Sequence, residues 1–219
     1  MRISSLLVVA FAVTGLSSPA LASTTFTFGA AQPMPGAAVG FSKTYTNGSL
    51  TVVASGFDQT NTATTLFEKN GGAGEVGLGL ANDPTGNNEI AFDHGFVQMD
   101  VSQLLGKVSD ISFFLNSLTD GETYSVFGSN SSGAYSGLAL VSSTNPAGVS
   151  LPQLGTWKYY DFVSTQSVSG THSNFLLGGL TMTAVPEPGT WATMLLGFGL
   201  MGFGLRRRLR LGRAQARAS

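Results

Sequence analysis

The side chains able to do chemistry are few. The chain has two histidines, His94 and His172, and no cysteine. Thiolate nucleophiles, disulfides and Cys-ligated zinc are therefore excluded. No Gly-x-Ser-x-Gly elbow accompanies the histidines, so no catalytic residue is assigned. The densest group of oxygen donors is Asn82, Asp83, Asn87, Asn88, Glu89 and Asp93, with Gly86 allowing a tight turn. Calcium takes about six to eight such oxygens from loops, and Asn82, Asp83, Asn87, Glu89 and Asp93 would be its ligands. The spacing fits no EF-hand, and Asx and Gly residues also build turns by themselves, so a calcium loop and a plain turn are two readings of one segment. No other cofactor is expected. Asp93 and His94 alone lack the further ligands of a transition-metal site.

Two other patterns bear on chemistry. Gly72-Ala73-Gly74-Glu75-Val76-Gly77 reads as G-x-G-x-x-G, but it precedes a strand instead of opening a helix, and Glu75 would repel a pyrophosphate. It is a loop. A glycosidase needs two carboxylates at a set separation in a cleft, and the spacing of the eleven acids of the middle segment does not show on which faces they lie. Tyr124, Tyr135, Trp157, Tyr159 and Tyr160 offer a sugar-stacking face. Strand alternation sends Trp157 and Tyr159 to one side and Lys158 and Tyr160 to the other, which commits at least one aromatic set to a core.

Strands must position these residues. Between residues 23 and 185, Ser and Thr supply 39 of 163 residues and Gly 22, a mix that disfavours helices and suits strands joined by tight turns. Apolar residues alternate over Thr25–Phe28. Val39–Thr46 and Ser49–Phe57 flank Asn47-Gly48, a two-residue hairpin signal. Further strands are expected at Thr65–Glu68, Glu75–Leu80, Glu89–Asp93, Phe96–Val101, Val108–Leu115 and Thr123–Gly128. Tyr135–Val141, Trp157–Val163 and Phe175–Thr183 complete the set, and Val101–Leu105 hints at a helical turn. The reading is an all-β chain folded as one β-sandwich, with a jelly roll as the expected form.

Both ends differ from this middle. Met1-Arg2, an apolar run from Leu6 to Leu16 and Ala20-Leu21-Ala22 have the three parts of an export signal, with signal peptidase expected to cut after Ala22. At the other end stand Pro186-Glu187-Pro188, an uncharged run from Trp191 to Leu205, and Arg206, Arg207, Arg208 and Arg210. A helix over that run measures about 22 Å, short of a hydrocarbon core of roughly 30 Å. The arginines after it place the C-terminus inside the cell and everything before Pro186 outside. The domains are thus a leader over 1–22, an exported sandwich over 23–185 and a membrane tail over 186–219. The sandwich segment has four lysines, no arginine and eleven acids, a formal charge of −7. It lacks the clustered cations that nucleic-acid phosphates require.

The tail resembles the PEP-CTERM sorting signal of exported proteins in Gram-negative bacteria, in the variant where Pro-Glu-Pro is followed by two residues and Trp-Ala. Pro186, Glu187, Pro188, Trp191 and Ala192 carry the match, followed by the glycine-interrupted apolar run and the arginines. The resemblance implies recognition of Pro186-Glu187-Pro188 by an exosortase and retention of Trp191–Leu205 in the inner membrane through Arg206, Arg207 and Arg208. Tail removal and delivery to the surface or an exopolysaccharide-rich biofilm matrix would follow. Glu75 to Asn130 also resembles a domain recurring among proteins with this tail, on Gly77-Leu78-Gly79, Glu89-Ile90 and the Gly121–Ser129 segment. That likeness implies a sandwich and no reaction. A non-catalytic structural protein of the cell envelope is expected. A carbohydrate-binding module, with or without calcium, is the alternative, and a polysaccharide-active enzyme a third reading.

Overall fold

The computed structural model describes residues 22–81, 83–119, 121–135, 137–145, 149–165, 173–185, 192–204 and 206. In chain order the strands are β1 (Ser23–Thr27), β2 (Gly36–Gly40), β3 (Ser42–Asn47), β4 (Leu50–Asp58), β5 (Ala63–Thr64), β6 (Leu66–Asn70), β7 (Val76–Leu80) and β8 (Ile90–Ala91). There follow β9 (Gly95–Asp100), β10 (Val108–Asn116), β11 (Tyr124–Ser129), β12 (Val141–Ser143), β13 (Val149–Ser150), β14 (Tyr159–Ser164) and β15 (Asn174–Ala184). All named pairings are antiparallel. The first sheet runs β13-β10-β15-β7-β6-β2, with β1 and β8 also on β15, and the second runs β12-β11-β14-β9-β4-β3, with β5 on β4.

Alternation explains which face each strand buries. Leu50, Val52 and Ala54 of β4 and Ile111, Phe113 and Leu115 of β10 point into one shared core. Phe113 bridges the two sheets, its ring meeting Phe162 of β14 at 5.0 Å and Tyr124 of β11 at 5.7 Å, both edge-on. Burial of side chains this large contributes roughly 1.5–3 kcal/mol each, which stands in for the absent disulfides. The longest strand, β15, is central to the first sheet, and its Gly179 leaves room for the carbonyl of Phe26 and the ring of Phe114.

Most expected strands form within a residue or two of their expected limits, and residues 102–104 make the anticipated single helical turn. Four details differ. Val39–Thr46 is not one strand, because the chain leaves the first sheet at Gly40, whose φ is +91°, and enters the second at Ser42. The β3–β4 turn is Gly48-Ser49, since Asn47 pairs with Leu50 and its side-chain amide donates to the carbonyl of Thr25. Glu89–Asp93 shortens to the two residues of β8, as Asp93 turns into the left-handed region. Tyr135–Val141 forms no strand before Val141: Gly133 and Gly137 adopt φ of +73° and +92°, and the segment folds back over the second sheet.

Candidate functional site

Most of the carboxylates in the sandwich are engaged by its own donors. Asp83 Oδ1 accepts from the backbone N–H and the hydroxyl of Thr85 at 2.7 and 2.6 Å, and its Oδ2 accepts from the N–H of Glu89 at 2.6 Å. Burial acts to raise this carboxyl, and these donors outweigh it and hold it below the usual aspartate range. Asp58 caps its own turn through Thr60 and Thr62 in the same way. Glu68, buried at the edge of the sandwich, accepts from Gln32 Nε2 at 2.6 Å, Lys43 Nζ at 2.7 Å and Tyr45 Oη at 2.6 Å. Lys69 Nζ joins Glu75 to the buried Glu89, and the Ser117 hydroxyl donates to both. Burial lifts the Glu89 carboxyl; at Glu75 burial also acts to raise the carboxyl, but the hydrogen bonds from Lys69 and Ser117 and the Lys69 charge together hold it low.

Of the expected calcium ligands, two already hold protein partners. Asp83 and Glu89 are buried and committed, Asn87 is exposed, and Asp93 lies on a separate turn; Asn82 is outside the described residues. Among the described residues no three acidic or histidine side chains converge on one point. Asp83 closes an Asx turn for the loop into β8.

One region remains with unspent polar groups. On the outer face of the second sheet, register aligns Ser55 of β4, Gln98 of β9, Asp161 of β14 and Phe127 of β11 in one row, and Phe57, Phe96 and Val163 in the next. The segment after β11 covers both rows. Gly133 packs on Phe57, and its N–H donates to Gln98 Oε1 at 3.1 Å. Tyr135 lies edge-on to Phe96 at 4.9 Å and against Phe127 at 4.9 Å, while Phe96 stacks on Phe57 at 5.3 Å. Beneath this cover Asp161 is 0% exposed. Its Oδ1 accepts from Gln98 Nε2 at 2.7 Å, and its Oδ2 has no partner. Burial pushes its carboxyl up to about 7 against the pull of that one hydrogen bond.

Beside the cover a cavity of about 360 Å³ opens. Its aromatic walls are Phe92, Phe96, Phe127 and Tyr135, and Gln59, Asp93, His94, Ser164 and Thr165 supply polar groups. The turn carrying Asp93 and His94 is fixed at both ends: Phe92 donates its N–H to Ser173 O at 2.8 Å and His94 to Ala91 O at 3.2 Å. Asp93 itself has φ +53°, a conformation costing of order 1–3 kcal/mol in general that Asp tolerates better than most residues.

Of the aromatics considered for sugar stacking, Tyr124 and Tyr160 are core residues whose hydroxyls donate to Asn145 O and Pro152 O. Trp157 packs over Gly128, and Tyr159 is half-buried at the start of β14. Tyr135 alone of the five lines the cavity. Asp161, Gln98, Gln59, Phe92, Phe96 and Phe127 were not singled out from sequence. The signal for Asp161 was there, as a lone acid inside the run Tyr159-Tyr160-Asp161-Phe162-Val163.

At the ends, Ala22 accepts a hydrogen bond from the Ala184 N–H at 2.9 Å, and the described residues 192–204 are helical with all their side chains exposed. Arg206 is also helical and exposed. No helix among the described residues is long and apolar enough to cross a membrane. Ala20, Pro186, Glu187, Pro188, Trp191, Arg207 and Arg208 lie outside the described residues. No curated protein and no solved structure matches the chain. Residues 184–208 match the family model of the PEP-CTERM protein-sorting motif.

Proposed function

We propose that this chain is an exported surface or matrix protein whose sandwich is non-catalytic and whose tail is an exosortase substrate. The observation that carries this is the sorting motif over residues 184–208, directly after β15 ends at Ala184. In this reading signal peptidase releases the leader after Ala22. The Trp191–Leu205 run holds the chain briefly in the inner membrane, Arg206, Arg207 and Arg208 stop it there, and the exosortase cuts near Pro186-Glu187-Pro188. The helical state of residues 192–204, with Met194, Leu195, Leu196, Phe198, Leu200, Met201 and Phe203 all exposed, supports a lipid-facing tail. The jelly-roll reading draws support from the many links that cross between sheets, including β9 to β10, β10 to β11, β13 to β14 and β14 to β15.

The test is the intact mass and location of the protein from its native host, with and without alanine in place of Pro186-Glu187-Pro188. A wild-type product ending near Pro186 outside the cell, with the variant retained in the membrane, is the expected result. Full-length C-termini in both would reduce the tail to a plain anchor.

The cavity beside Tyr135 favours a second reading, in which the sandwich also binds carbohydrate. Small-molecule sites combine apolar walls with a few convergent polar groups, and this cavity has both. Retention of the protein on an exopolysaccharide matrix tests it, and elution at the void volume counts against it.

A further inference from the structure

We propose that the cavity between the Phe92–His94 turn and Tyr135 is a binding site for a terminal sugar ring of a neutral glycan, and that it rejects uronic acids. This rests on the carbohydrate-binding reading and adds to it a place and a ligand charge.

Size admits the ligand. At about 360 Å³ the cavity falls within the range of roughly 300–1,000 Å³ typical of small-molecule sites, with room for about one or two sugar rings. Its chemistry matches both aspects of a pyranose. One face of such a ring is a patch of C–H groups that lies against aromatic carbon, as Phe127 and Tyr135 provide. Its rim is a ring of hydroxyls, each both donor and acceptor, needing polar partners not already used. The Asp93 carboxylate, the His94 imidazole and the Tyr135 hydroxyl have no hydrogen-bond partner among the described residues, whereas most of the other acids in the sandwich are engaged. Three open polar groups around one aromatic cavity are the donors and acceptors that a ring hydroxyl needs. The turn that presents Asp93 holds it in a left-handed conformation, and strain of that kind collects at binding sites.

Charge sets the selectivity. The cavity wall contains Asp93 and neither lysine nor arginine. Burial raises the Tyr135 hydroxyl, and the Asp93 carboxylate on the same wall acts in the same direction. Asp93 is the one carboxylate among the lining residues. A hydroxymethyl group is accepted there, and a carboxylate in its place meets like charge at short range.

The experiment uses the full chain in a non-glycosidic detergent. Methyl glycosides of glucose, galactose, N-acetylglucosamine and glucuronic acid are the probes, read by saturation-transfer NMR and calorimetry. At least one neutral glycoside should bind with a Kd near the millimolar range, and the glucuronide about tenfold more weakly or worse. Tyr135→Ala should weaken binding at least tenfold. Asp93→Asn keeps an exposed residue of a type that accepts positive φ, so it folds as the wild type does, and it should close most of the gap between neutral and acidic sugar. Equal affinity for the glucuronide overturns the charge assignment. Neutral-sugar binding unchanged in both variants overturns the cavity but leaves the carbohydrate-binding reading standing. No binding of any probe at about 50 mM overturns both, and the tail-processing result is independent of either.

Discussion

Gln98 Nε2 donates to Asp161 Oδ1 at 2.7 Å, and through its own Oε1 Gln98 accepts from Gly133 in the segment overhead. A single amide thus ties a buried acid to the cover that buries it. The second oxygen of Asp161 is left without a donor, and burial of an unpaired carboxylate is resolved by protonation.

That arrangement has a pH signature. The folded-state carboxyl of Asp161 is pushed up to about 7, above the ordinary aspartate value. Its stabilising effect is full below about pH 4, declines as pH rises, and is lost above about pH 7, amounting to about 4 kcal/mol. Asp161→Asn keeps the acceptor for Gln98 and removes the charge. Denaturant melts at pH 5 and pH 8 should show the variant losing less stability than wild type between the two, and parallel behaviour would contradict the assignment.

Glu68 behaves in the opposite sense. Burial acts to raise it, but hydrogen bonds from Lys43, Tyr45 and Gln32 and the Lys43 charge prevail and hold it below the ordinary glutamate range. The stability it confers is present above about pH 4.5 and lost as pH falls through its lowered folded-state value. Glu68→Ala leaves the buried Tyr45 hydroxyl without an acceptor, while the part-exposed Lys43 can turn to water. The expected cost is about 3 kcal/mol at pH 7, the lower end for breaking a buried pair, read from the urea midpoint.

At Gly128 the side chain matters because there is none. A Cβ there would lie 2.5 Å from the Trp157 indole, which packs against the core. Gly128→Ala should displace the indole, shift its fluorescence to the red and cost about 1–3 kcal/mol. Unchanged fluorescence would mean that the strand yields instead.

Calcium should do little for the fold. Both Asp83 oxygens already accept hydrogen bonds, and Lys69 already bridges Glu75 and Glu89. Adding millimolar calcium or a chelator should move Tm by less than about 1 °C, whereas a saturated native-state ligand would raise it by several degrees. Calorimetry with each addition decides between the two.

How far the sequence carried is clearest at particular residues. Val52 and Ala54, or Ile111 and Phe113, announce their faces because a strand shows its environment every second residue, and the period survives without knowledge of any partner. The hairpin signal at Asn47-Gly48 located the turn to within one residue, and Asn47 itself pairs with Leu50 while its amide reaches Thr25, 22 positions away. Tyr135–Val141 misled because Tyr135 packs on Phe96 and Phe127 and Gly137 is left-handed, so the described residues before Val141 join no ladder. Around Asp83 the same composition suits a metal loop or an Asx turn, and only the positions of Thr85 and Glu89 show which donors reach it.

By itself the sequence determined the β class, the acidic and cysteine-free character of the sandwich, and the sorting tail, since each is written in composition or in contiguous residues. Tertiary structure decided the rest. The cavity draws Gln59, Asp93, Phe127, Tyr135 and Ser164 from segments more than 100 positions apart, and Asp161 becomes a buried acid only when Gly133 closes over it. Such groupings depend on strand order and cover, which arise from the summed packing of two sheets and leave no local mark on the chain.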